Sequence, residues 1–204
     1  AIRQIKEKRS KIDIILEVLD ARVPLSSRNP VLNEVFPSKP RLLLLSKADL
    51  ADPIVTNKWL TYFKKKGLAA ITVNALSGKE AQKIEKAAKK VIANSPSEKK
   101  TSEADIIRGV VFGIPNVGKS SLINHLIGKR KTIIADRPGV TKKQDWLVVS
   151  KKFLLLDTPG ILWPKFEDPN IGFKLAIVNC IKEKRYNFEE IVFYLFKYLL
   201  KTYP

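Results

Sequence analysis

The stretch GIPNVGKSS, residues 113–121, constrains this chain more than any other. Gly113-x4-Gly118-Lys119-Ser120 follows the apolar run IIRGVVFGI and precedes a segment of helical periodicity. In that strand–loop–helix context the spacing forms a phosphate-holding loop. The glycines let successive backbone N–H groups close around phosphate oxygens, Lys119 neutralises charge on the β and γ groups, and the Ser120 hydroxyl is suited to ligate Mg²⁺. The N-terminus of the following helix adds a positive field. Asn116, Val117, Gly118, Lys119, Ser120 and Ser121 are the expected phosphate contacts.

Around this loop, short apolar runs alternate with helical periodicity. KIDIILEVLD (11–20) has the composition of a buried parallel strand ending at Asp20, and RLLLLSKAD and AAITVNA repeat the form. Between them ADPIVTNKWLTYFKKKG reads as a helix with a glycine stop. SGKEAQKIEKAAKKVIA puts Ile84, Ala87, Ala88, Val91 and Ile92 on one helical face; its lysines 79, 83, 86, 89 and 90 are read as a solvated face rather than an RNA contact. Residues 94–105 read as a polar connecting loop, and DWLVVS and KFLLLD as two further strands. Such alternation predicts an α/β fold with a mostly parallel sheet. The last segment, FEEIVFYLFKYLLKTYP, is apolar nearly all round and is expected to be buried.

Three further motifs sit at strand ends or between strands. In SKAD, the Asp49 carboxylate can accept both N–H groups of a guanine edge while the aliphatic stem of Lys47 lies along the base, with Ala48 between them. The usual first letter is Asn, so Ser46 is expected to loosen this loop. Asn74 and Ala75 follow the next strand, where the Ala75 N–H can reach the guanine O6. In LLLLDTPG, Asp157 can hold Mg²⁺ through water and the Gly160 N–H can reach the γ-phosphate. Thr141 in RPGVTKK is the candidate switch residue and a third metal ligand beside Ser120 and Asp157. The base reader thus precedes the phosphate loop, the reverse of the ordinary order. Ligands in open α/β sheets bind at the carboxyl ends of strands, so the site depends on which loops meet at that edge and not on the order of the chain. The fold expected is a circularly permuted P-loop NTPase: a GTP-binding domain over 1–163 and an incomplete C-terminal helical segment over 164–204.

With VLDARVPLSSRNP after the first strand, GIPNVGKSSLINHL, RPGVTK and DTPGILWP, nearly the whole chain resembles the circularly permuted GTPases of the YlqF/RbgA type, the ribosome biogenesis GTPase A family. The resemblance implies GTP/GDP and Mg²⁺ as cofactors, and GTP hydrolysis coupled to late assembly of the large (50S) ribosomal subunit, with its rRNA as partner. It also implies a K⁺ ligand at Asn116, because similar potassium-stimulated GTPases place an Asn there. The water-activating group of that family is a His in a Gly-His-Met stretch, expected just before residue 1. Ile161 stands where many GTPases carry a water-orienting Gln, and His125, the single histidine, is read as a packing or surface residue. The catalytic group is thus unassigned, and turnover is expected to be slow without the ribosome. Residues 165–204 are expected to begin an RNA-contacting domain, with Lys182, Lys184 and Arg185 as a basic cluster and Trp146 and Trp163 as packing residues. The alternative is a non-hydrolysing GTP-dependent RNA-binding module.

Composition bears on partners and compartment. A formal charge of +18 and a pI near 10 point to a polyanion, either RNA or an acidic membrane surface. Residues 1–160 hold 31 of the 38 Lys/Arg against 15 of the 20 Asp/Glu, so the basic surface belongs mainly to the nucleotide domain. A single cysteine, Cys180, excludes an intramolecular disulfide, and no apolar run reaches the ~20 residues of a membrane span. A cytoplasmic monomer is expected. The absence of methionine, position 1 included, predicts that these residues belong to a longer chain.

Overall fold

Seven consecutive buried residues, Ile14–Asp20, form strand β1 in the interior of the sheet. In the computed structural model, residues 9–74, 80–95, 106–128, 133–134, 146–158, 168–181 and 187–203 are described. The other strands are β2 (Arg41–Ser46), β3 (Ala69–Thr72), β4 (Ile107–Phe112), β5 (Ile133–Ile134), β6 (Trp146–Ser150) and β7 (Phe153–Asp157). They align in the order β3-β2-β1-β4-β7-β6-β5. From β3 to β7 every pairing is parallel, whereas β6 pairs antiparallel with both β7 and β5. The C-terminal ends of five strands therefore share one edge.

Helices cover both faces, so β1 is apolar on both sides. They are α1 (Val31–Val35), α2 (Pro53–Lys65), α3 (Glu80–Ala93), α4 (Lys119–Ile127), α5 (Pro169–Ile177) and α6 (Phe188–Thr202). On one face Ile84, Ala88 and Ile92 of α3 and Leu122 and Leu126 of α4 pack with Ile14, Leu16 and Val18. On the other, Phe63 of α2 meets Leu43 and Leu45, and Leu32, Val35 and Phe36 meet Ile15 and Val110. Asp52 caps α2 by accepting from the Ile54 and Val55 amides at 2.7 and 3.0 Å. The helical periods read from the sequence are thus the packed faces, and Lys83, Lys86, Lys89 and Lys90 are exposed.

Two features depart from expectation or escape it. Helix α6, expected to be buried, has no buried residue: Phe188, Phe193 and Phe196 are 70%, 62% and 61% exposed. Among the described residues it packs against α5, through stacked Phe173 and Tyr194 rings with centroids 5.1 Å apart, and one helix covers only one stripe of another. A buried carboxylate also lies within the apolar β1. Glu17 accepts from the Arg28 and Arg41 guanidinium groups at 3.5 Å and from the Asn29 amide at 3.3 Å, tying residues 28–33 against β1 and β2. Arg41 also donates to Asn33 Oδ1 and the Leu32 carbonyl.

Removing one partner of such a network leaves buried charge uncompensated. Glu17→Ala should lower the unfolding free energy by about 3 kcal/mol, measured by urea denaturation followed by circular dichroism.

Candidate functional site

The loop between β4 and α4 has little spare space. A Cβ on Gly113 would lie 2.9 Å from Val117 Cγ2 and 3.0 Å from the Val18 carbonyl oxygen, so only glycine brings the loop this close to β1. Gly118 starts α4 at φ +91°, a left-handed conformation that favours glycine, and Asn116 adopts φ +59°. Ser120 and Ser121 are exposed in the first turn of α4, while Lys119 is 8% exposed. A cavity of about 440 Å³ opens here, lined by Lys47, Asn116, Gly118, Lys119, Ser120 and Ser121. Lys119 Nζ lies 3.4 Å from Asp157 Oδ1 at the end of β7, and that carboxylate is 46% exposed. Beside it the buried Thr158 hydroxyl donates to the Val111 carbonyl at 2.6 Å and ties the end of β7 to β4.

The SKAD loop, read from the sequence as the base reader, reaches the same cavity from the end of β2 through Lys47. Ser46 is buried, and its hydroxyl shares one proton between the Leu19 carbonyl at 2.9 Å and the Val117 carbonyl in the phosphate loop. The substitution for Asn therefore does not loosen the loop: the shorter side chain still bonds across to the phosphate loop. Lys47, at φ +54°, donates through Nζ to the Asn116 carbonyl at 2.7 Å, so its stem runs along the cavity wall. Ala48 and Asp49 form a 3₁₀ turn with Asp49 exposed, and Asn74 lies two residues beyond the end of neighbouring β3. Ser46, Lys47, Asn116 to Ser121 and Asp157 are thus gathered at one sheet edge. His125 is half-buried on α4, and Trp146 packs on the Phe36 cluster, as expected. Ala75, Thr141, Gly160, Ile161, Trp163, Lys182, Lys184 and Arg185 lie outside the described residues.

One group of side chains escaped the sequence reading of roles. Asp20 is fully buried at the end of β1, yet Arg22 grips both its oxygens at 2.9 and 2.7 Å and Lys47 Nζ lies 3.1 Å away. Burial opposes ionisation of Asp20, but the Arg22 hydrogen bonds and the charges of Arg22 and Lys47 outweigh it and hold the carboxyl below its usual range. Arg22 also donates to the Val178 carbonyl at 3.1 Å, beyond α5, and the Cys180 thiol sits 3.9 Å from Asp20. Burial, together with Asp20, pushes that thiol up to about 11, so it stays protonated at neutral pH. The only sequence hint was the polar D-A-R at the end of a largely apolar strand.

A phosphate loop bonded directly to a guanine-type reading loop, on a parallel sheet entered in permuted order, defines the class: a P-loop GTPase. A family model described as "50S ribosome-binding GTPase" matches residues 108–194. Ribosome biogenesis GTPase A of Bacillus cereus is 46% identical over 207 residues, covering 100% of this chain and 70% of the relative. The Priestia megaterium protein of the same name is 44% identical, covering 100% and 72%. Among solved structures, GNP-bound YlqF from T. maritima superposes with a TM-score of 0.68 at 30% identity, covering 97% of this chain and 73% of that one. The GDP-bound YlqF structure gives 0.65 at 30% identity, covering 93% and 71%. The chain belongs to the ribosome biogenesis GTPase A family, and it is a GTPase.

Because Asp20 has a depressed folded pKa, its contribution to stability is complete above the unfolded value of about 3.9 and is lost as the pH falls through the folded value. Asp20→Asn should therefore be destabilised at pH 7, and its deficit should shrink as the pH drops below about 4, read from urea midpoints across that range.

Proposed function

We propose that this chain is a GTP/GDP-operated switch that assists late assembly of the large ribosomal subunit, engaging its rRNA. The observation that carries the reading is the pair of bonds from Ser46 and Lys47 to the Val117 and Asn116 carbonyls, which couples base recognition to phosphate binding. Asp49 accepts the two N–H groups of guanine, the Lys47 stem lies along the base, and the Ala75 amide, following Asn74, donates to the guanine O6. Adenine offers Asp49 no such donor pair. Ser46 braces the two loops. Amides of residues 116–121 and the Lys119 ammonium hold the phosphates, and the Gly160 amide meets the γ-phosphate.

The donor set at this edge fits Mg²⁺. Ser120 and Asp157 offer hard oxygen ligands, both accessible to solvent, and among the described residues no cluster of three or more His, Cys, Asp or Glu forms a separate metal cage. Mg²⁺ takes few protein ligands and shares its shell with phosphates and water. Ser120 and Asp157 hold it, with Thr141 as the third protein ligand; when bound it neutralises charge developing on the β and γ phosphates. Binding also requires Lys119 to exchange its contact with Asp157 for phosphate. Asn116, which lines the cavity, holds K⁺. The Arg22 bond to the Val178 carbonyl links the base-reading side to the segment after α5, a route by which nucleotide state reaches the C-terminal helices.

The test is GTP turnover in K⁺ buffer with and without purified large subunits. Turnover should be guanine-selective and stimulated by the subunits, and should fall when Na⁺ replaces K⁺. Lys119→Ala should abolish it. Asp49→Asn should lose GTP by at least about 100-fold while gaining xanthine nucleotide, whose C2 carbonyl accepts from the new amide. Tight guanine binding without turnover under either condition would overturn the reading in favour of a binding module.

A further inference from the structure

The charge of the described residues is divided between the two edges of the sheet. At the nucleotide edge acids and bases alternate: Asp20, Asp49, Glu80 and Asp157 face Arg22, Lys47, Lys83 and Lys119. At the opposite edge, where the parallel strands begin, each described connection carries cations. Arg9 and Lys11 precede β1, Lys39 precedes β2, and exposed Lys64, Lys65 and Lys66 precede β3. Lys89 and Lys90 end α3, Lys151 and Lys152 form the β6–β7 turn, and Arg108 is exposed near the start of β4. Among the described residues the acids facing them are Asp13, which accepts from the Arg108 amide at 2.7 Å, Glu34, and Glu85, which pairs with Lys89, while Glu17 is buried in its own ion pairs.

Lysines at helix C-termini also complement the helix dipole, which would account for Lys64, Lys65 and Lys90. It does not account for Arg108, Lys151 or Lys152, which sit on strands and turns. These cations are also held together. The Ser150 hydroxyl donates to Glu85 at 2.8 Å and accepts from the Lys152 amide at 3.1 Å, while Lys89 pairs with the same Glu85 at 3.0 Å. That joins the end of α3 to the β6–β7 turn.

We propose that the edge bearing Lys64, Lys66, Lys89, Lys90, Lys151 and Lys152 is a docking face for double-helical RNA, leaving the nucleotide edge open. The proposal deepens the rRNA reading given above and rests on it. Six strands at about 4.8 Å spacing span about 24 Å, a row long enough to meet several backbone phosphates of one duplex. Tyr62 and Ile106, at 38% and 42% exposure, are the large apolar side chains this edge exposes among the described residues; the exposed phenylalanine rings lie on α6. It therefore offers neither a stacking platform for splayed bases nor an apolar wedge for lipid, and it fits recognition by phosphate and shape. The lysine face of α3, read from the sequence as solvent cover, gains this role at its last turn from the turns beside it.

The test compares the wild-type chain, a Lys64→Glu/Lys151→Glu variant, and a charge-matched control with Lys58 and Lys86, exposed outside that edge and outside the C-terminal segment, changed to Glu. Binding to an RNA hairpin duplex, to purified large subunits and to anionic vesicles is measured across a salt series, with GDP affinity as the check on folding. The edge variant should bind RNA at least about tenfold more weakly, with the slope of log affinity against log salt reduced by about 2 or more, while the control and both GDP affinities hold. Wild-type affinity and slope in the edge variant, with subunit binding intact, would overturn the docking face and leave the ribosomal reading standing. A loss seen on vesicles and not on RNA would overturn it in favour of a membrane. A wild-type chain that binds neither RNA nor subunits would remove the ribosomal reading and this proposal together.

Discussion

The contact between the base-reading loop and the phosphate loop is the constraint on which the rest of the site depends. Ser46 and Val117 are 71 residues apart in sequence, and Lys47 and Asn116 are 69 apart. Both bonds end on phosphate-loop carbonyls, so the loop's backbone is oriented by the strand that carries the base reader. Two of its carbonyls are thus satisfied from outside the loop, and a buried carbonyl without a donor would carry a desolvation cost. The phosphate loop is held from behind as well, since Gly113 lies too near Val18 for any side chain.

This geometry explains how a GTPase site survives reordering of its chain. Strands β3, β2, β1, β4 and β7 are parallel and end at one edge, so the loops that follow them converge whatever the order of threading. The permutation instead alters what is adjacent to the site. The chain leaving β1 carries Asp20 and Arg22 between the base reader and the segment after α5. A buried carboxylate is costly unless it is paired, and here Arg22 and Lys47 both satisfy it, fixing Lys47 at the cavity wall.

Much of the architecture was legible. The runs ending at Asp20, Ser46 and Asp157 are strands because they are apolar on both faces, and the stripe Ile84, Ala88 and Ile92 is the packed face of α3. The spacing Gly113-x4-Gly118-Lys119-Ser120 identified its loop because a chain can wrap a phosphate in few ways. Less legible were features set by distant partners. Ser46 looked like a weakness until Val117 and Leu19 stood opposite it, and α6 looked like a core helix although its apolar surface is exposed. Hydropathy records what a face prefers and not whether anything covers it.

The sequence by itself determined the local elements and the phosphate loop, since these follow from periodicity and from side-chain chemistry within a few residues. Only the tertiary structure decided how Asp20 is shared between Arg22 and Lys47, how Glu17 is satisfied inside a hydrophobic strand, and how positive charge separates to the edge away from the nucleotide. The reason is physical. Electrostatic energy depends on distances in space and on exclusion of water, and neither exists until strands far apart in the chain have been laid side by side.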